Sequence, residues 1–124
     1  MPIVVAVAVG GAAGASARYV LDRWIESRSF AVFPWSTFTI NVTGCFLIGF
    51  VVAALVDRHH VPAWLRVGLS VGVLGGYTTF STYAQETLGL AEAHDPGIAA
   101  AYALGSLAIG VAAVYAGTLI GHRL

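Results

Sequence analysis

Lysine is absent from this sequence, cysteine occurs once, and only 10% of the 124 residues are charged. Each shortage excludes something. With Cys45 alone, neither an intrachain disulfide nor a zinc cluster can be built. A formal net charge of zero without lysine offers no basic patch for nucleic acid and no polybasic anchor for a lipid surface. Nowhere do a nucleophile, a base and an orienting group stand at usable spacing, and there is no phosphate-binding loop, so an enzyme is not expected.

What remains is apolar. Hydrophobic residues make up 58% of the chain, well outside the range of ordinary soluble domains. Charged residues leave four uncharged stretches, 1–17, 29–56, 67–85 and 96–121, each near or above helical spanning length. The reading is an all-α membrane protein of four transmembrane helices in one domain over 1–124. Its expected spans are 2–21, 34–56, 65–88 and 97–121, the third broken at 75–79. The first can pass through Arg18 because a long arginine near a helix end snorkels to the interface. A secretory signal is not expected there, since the basic amino-terminal region is missing and three further spans follow.

Punctuation between the spans fits this division. Asp22 to Arg28 reads as the first loop, bracketed by Trp24 and Trp35 at the interface. Pro34 suits the first turn of helix two, which is expected to end at Asp57-Arg58-His59-His60. Pro62 and Trp64 open helix three, and Gly89 to Asp95 reads as a polar loop before Pro96 starts helix four. Gly10 and Gly14, with Gly11 and Ala15 beside them, form a small-xxx-small face for close helix approach.

Four spans put both termini on one side, and the arginines then divide evenly. Arg18, Arg23 and Arg28 fall on one side, and Arg58, Arg66 and Arg123 on the other. With the usual orienting bias absent, dual insertion is expected, and two copies can pair antiparallel about an in-plane two-fold axis.

Gly75-Gly76-Tyr77-Thr78-Thr79 is the weakest helical stretch of an otherwise apolar span. Either it is a glycine kink for packing, or its freed backbone groups form an ion site, because broken backbone at membrane depth must be buried in protein or line a wet cavity. Carbonyls ending the first half-helix suit a hard cation such as Na+, and amides starting the second favour an anion. Asn41 on helix two, with Thr37 and Gly44 on its face, and Tyr102, Ser106 and Gly110 on helix four add a neutral donor-rich track. Together with the ring edges of Phe80 and Tyr83, that track suits a small anion better than a cation or proton.

These residues resemble the Fluc/CrcB fluoride channels. The resemblance is carried by Gly-Gly-Ala-Ala-Gly-Ala-Ser-Ala-Arg-Tyr at 10–19, Thr-Phe-Thr-Ile-Asn-Val-Thr-Gly-Cys-Phe at 37–46 and Gly-Gly-Tyr-Thr-Thr-Phe-Ser-Thr-Tyr at 75–83. With the four spans these cover essentially the whole chain, and the third motif is the most specific. The resemblance implies an antiparallel dual-topology homodimer in a bacterial inner (plasma) membrane, exporting fluoride passively through two pores. It also implies a structural Na+ at the dimer centre, bound by the backbone carbonyls of Gly75 and Thr78. The pore residues it implies are Asn41, Phe80, Ser81, Thr82, Tyr83, Tyr102 and Ser106, with Arg18 and Glu86 at vestibule or helix-end positions.

Two positions depart from the family pattern. Tyr83 stands where phenylalanine is common, keeping a ring edge but adding a hydroxyl that donates to the ion or seeks water. Gly110 stands where a further serine would extend the track.

The alternative is a small multidrug-type transporter of four spans with dual insertion. That class needs a membrane-embedded carboxylate, and the sequence reads as having an acid-free interior, with no acid before Asp22 in helix one. The remaining candidates have plain readings. His59 and His60 are loop residues rather than metal ligands, His94 and His122 are isolated, Cys45 is a small core residue, and Trp64 is interfacial. Arg18 and Glu86 also admit reading as a surface pair.

Overall fold

Two seams of glycine hold the helices together, and both depend on backbones approaching too closely for a side chain between them. A computed structural model describes residues 1–56, 58 and 60–124. Its described regular structure is entirely helical: α1 (Ile3–Glu26), α2 (Trp35–Val51) running on as a π-helical stretch Val52–Val56, α3 (Ala63–Val67), a second π-helical stretch Gly68–Leu74, α4 (Gly75–Tyr77), α5 (Phe80–Glu92) and α6 (Pro96–Gly121). Residues 63–77 thus make one rod whose hydrogen-bond register loosens in the middle. Three helices, Ile3–Glu26, Trp35–Leu55 and Pro96–Gly121, are long and apolar enough to cross a membrane. The protein is an all-α membrane protein.

The first seam joins α1 to the 63–77 rod. A methyl group on Gly14 would run into the Val73 carbonyl, and one on Gly76 would stand 2.6 Å from the Gly11 carbonyl oxygen. The second seam joins α2 to α6, where methyls on Gly49 and Gly117 would strike the carbonyls of Val114 and Phe46, and one on Gly121 would lie 2.7 Å from the Phe50 carbonyl oxygen. In a bilayer, where lipid tails are as apolar as leucine, such close dispersion contact is a main source of helix association. A smaller aromatic and aliphatic cluster of Leu90, Ala99 and the fully buried Tyr102, with Phe33, Phe38 and Tyr83 around it, fastens α5 between the amino-terminal ends of α2 and α6.

Several boundaries differ from those expected. α1 continues through Glu26, so residues 22–26, expected in the first loop, are helical and the turn begins at Ser27. Charge is no helix breaker; Arg23 and Glu26 form an i,i+3 pair at 3.3 Å, and the helix stops only where Ser27 caps onto Trp24. Helix α5 likewise runs through Gly89 to Glu92, because the packing of Leu90 holds its last turn and His94 supplies the left-handed residue (φ 61°) that ends it. Gly75 and Gly76 are helical, and only Thr78 and Thr79 are extended. The expected end of helix two over Asp57 to His60 includes Asp57 and His59, which lie outside the described residues.

Candidate functional site

The extended pair Thr78-Thr79 is held by a side chain rather than by a neighbouring strand. Asn41 Nδ2 donates to the Thr79 carbonyl at 2.9 Å, and the Thr79 amide donates to Asn41 Oδ1 at 2.9 Å. One primary amide therefore meets both backbone groups of one residue, as a paired strand would. Gly44, one turn along α2, leaves room for the Thr78 methyl group.

The next turn starts at once. The Thr79 hydroxyl accepts from the Thr82 amide at 3.3 Å, an N-cap for α5, while Thr78 bonds back onto the Leu74 carbonyl through both its amide (3.0 Å) and its hydroxyl (2.9 Å). In an unbroken helix the Thr79 and Thr82 amides would bond the carbonyls of Gly75 and Thr78. Both are turned elsewhere, and those two carbonyls lose their i+4 donors.

Beside the break lies a cleft of about 690 Å³ whose walls carry no charged side chain. Asn41, Thr79, Phe80, Tyr83 and Ser106 face it, as do Gly75 and Thr78. The Ser106 hydroxyl is buried without a hydrogen-bond partner among the described residues. Phe80 and Tyr83 stand 5.7 Å apart between ring centroids, tilted by 44°, and Tyr83 continues to Tyr102 at 5.3 Å. Phe80 is 79% exposed in the single chain. Cys45, expected in the core, is half-buried on the wall of this cleft, and a methyl group on Gly110 would meet its sulfur at 3.3 Å.

The other expected site residues lie apart. Tyr102 is fully buried behind the cleft, and its hydroxyl donates to Glu86 Oε2 at 2.7 Å, while the Thr37 hydroxyl donates to Glu86 Oε1 at 2.8 Å. Glu86 therefore reaches inward between α2 and α6 and makes no surface pair with Arg18, which corrects the expectation of an acid-free interior. The two hydroxyl donors explain how a carboxylate sits there, since they replace the water it loses. Tyr83 donates its additional hydroxyl to the Ala103 carbonyl at 2.8 Å, which commits its one proton to the backbone. Ser81 is exposed on the outer face of α5.

Thr82 and Arg18 line a second, smaller cavity of about 210 Å³, together with Asp22, Thr37 and Thr79. Thr79 lines both cavities. The small one lies by the α1–α2 turn, and the large one against the break. Sequence reasoning overlooked Asp22 in this setting, and it missed the α2–α6 seam although Gly117 and Gly121 repeat the four-residue spacing seen on α1.

The model of the family described as "CrcB-like protein, Camphor Resistance (CrcB)" matches residues 5–118. The chain belongs to the CrcB family. Among curated CrcB relatives, a protein of Acidobacterium capsulatum named "Fluoride-specific ion channel FluC" is 48% identical over 120 residues, covering 95% of this chain and 94% of that one. Proteins of the same name from Agrobacterium fabrum and Geobacter sulfurreducens are 40% and 38% identical, the former over 95% of this chain and 94% of its own length, the latter over 100% of both. The extended pair, its Asn41 clamp and the seam glycines of α1 all fall inside the CrcB match.

Proposed function

We propose that this chain is a fluoride-selective channel that lets fluoride leave the cytoplasm passively. The observation carrying this reading is the uncharged, donor-bearing cleft beside the break, with the partnerless Ser106 hydroxyl and the ring edges of Phe80 and Tyr83 in its wall. The name its relatives carry supports the choice of anion.

Fluoride is small and tightly hydrated. A pore must replace its water with strong donors and still release it, so neutral donors serve better than a buried arginine. Asn41 keeps one N-H beyond the one used on Thr79, Ser106 offers an uncommitted hydroxyl, and the rings present edges of partial positive charge. Thr82 and Arg18 fit the approach to the cleft, Ser81 its outer face, and Tyr102 and Glu86 a supporting layer behind it.

The working unit in this reading is an antiparallel, dual-topology homodimer with two pores in a bacterial inner membrane. Each chain forms one domain over 1–124, and residues 63–92 make its third, interrupted crossing. The even division of arginines supports dual insertion. The high exposure of Phe80, facing the cleft, supports a wall completed by the second copy. Na+ would be held at the dimer centre by the carbonyls of Gly75 and Thr78, the two that lose their helical donors; hard oxygen ligands suit such a cation. Its charge would join the two broken helices, a structural task.

The test is fluoride efflux from liposomes containing purified dimer, with chloride as competing anion. Fluoride should leave and chloride should be retained. Proton-coupled exchange of an organic cation with no fluoride flux would instead identify a small multidrug-type transporter working through Glu86.

A further inference from the structure

The smaller cavity carries a charge pair that does not pair. Arg18 and Asp22 lie one turn apart on α1 and both line the 210 Å³ space. At that spacing an ion pair is expected, yet among the described residues the one within 4.0 Å is Arg23–Glu26. The Asp22 carboxylate turns to α2 instead and accepts the hydroxyl of the buried Ser36. The arginine thus keeps its guanidinium for the cavity, and the carboxylate stays on the same wall beside it.

We propose that Asp22 is an electrostatic brake on anion entry: fixed by Ser36, it opposes the attraction of Arg18 at the mouth leading past Thr79 into the cleft. This rests on the channel reading and adds a rate-determining residue to it. The geometry supports a mouth here, since the cavity lies by the α1–α2 turn and shares Thr79 with the larger cleft. A carboxylate there lowers the local concentration of any anion, and hence its flux below saturation, without touching the selective part of the path. Asp22 also joins α1 to α2, and a purely structural role would show no dependence on ionic strength.

That difference is the test. Initial fluoride efflux is measured from liposomes holding equal amounts of dimer, at fluoride concentrations below saturation, in about 0.01 M and about 1 M sodium isethionate, where the screening length is about 30 Å and about 3 Å. Asp22→Asn keeps an acceptor for Ser36 and should raise efflux about threefold at the lower ionic strength, as expected for one unit charge several ångströms from the ion path in water. At the higher ionic strength its rate should fall to that of the native protein. Asp22→Ser, a second neutral variant, should behave alike. Asp22→Glu and Ser36→Ala, which keep the charge, should follow the native ionic-strength dependence.

Neutral variants that match the native rate in dilute salt overturn the proposal, as does an equal rise at both ionic strengths. A native protein that passes no fluoride overturns the channel reading and this inference with it, whereas a conducting native protein with an unresponsive Asp22→Asn removes this inference alone.

Discussion

Asn41 and Ser106 face the same cleft, but the fold depends on them very differently. Replacing Asn41 with leucine leaves the Thr79 amide and carbonyl unanswered in an apolar setting, at about 1–3 kcal/mol each. Asn41→Leu should therefore lower stability as well as flux, and backbone amide exchange at Thr79 should speed up while that of the seam residues on α1 does not. Ser106 has no hydrogen bond to lose. Ser106→Ala should leave the denaturation midpoint within the range of ordinary surface changes, about 0.5 kcal/mol, and still slow fluoride efflux. Unchanged efflux would remove Ser106 from the pore. Tyr83→Phe should retain flux, because the ring edge stays, and lose about 1 kcal/mol of stability with the bond to Ala103. None of these partnerships was readable from residue type: asparagine in a span signals a polar contact, but whether it meets an ion or a backbone amide depends on how the next helix is broken.

At the scale of elements, glycine sets how near two helices come. Gly14→Ala should place its methyl on the Val73 carbonyl and cost about 1–3 kcal/mol, whereas Gly105→Ala, with open space around it, should be neutral or slightly stabilising. Denaturant titration of the two variants in detergent distinguishes them, and equal effects would show that the α1 seam is not tightly closed. The sequence displayed this seam through its four-residue spacing, and it displayed the long apolar runs. Helix ends were harder to read. Residues 22–26 look like a loop because they are charged, but arginine, aspartate and glutamate are compatible with helix, and the chain turns only at Ser27. The glycines of the third helix misled in the opposite sense: Gly76 serves close packing and stays helical, and the extended residues are the threonines that Asn41 and the α5 cap can hold.

Over the whole molecule, the distribution of charge matters more than its sum. A zero net charge hid the inward reach of Glu86, which is invisible until Thr37 and Tyr102 are seen converging on it. If the even arginine count lets the chain insert both ways, carboxyl-terminal reporter fusions should read on both sides of the membrane, and adding two lysines after Arg123 should bias them to the cytoplasm. Gly75 offers a separate check on assembly. It is helical with nothing within 4 Å of an added methyl group in the single chain, so Gly75→Ala should spare the monomer fold. With the proposed Na+ at a dimer centre, the same change should weaken dimerisation, and so should exchanging Na+ for N-methylglucamine; size-exclusion profiles insensitive to both would remove the cation from the assembly.

The Asn41 clamp also sets what the sequence can tolerate over time. A side chain that answers an amide and a carbonyl of the same residue, both at 2.9 Å, must be a primary amide of one length. Glutamine is one methylene too long, aspartate lacks the donor, and serine does not reach both. In a library of variants selected only for folding and membrane insertion, with no fluoride present, position 41 should stay asparagine while position 106 drifts freely.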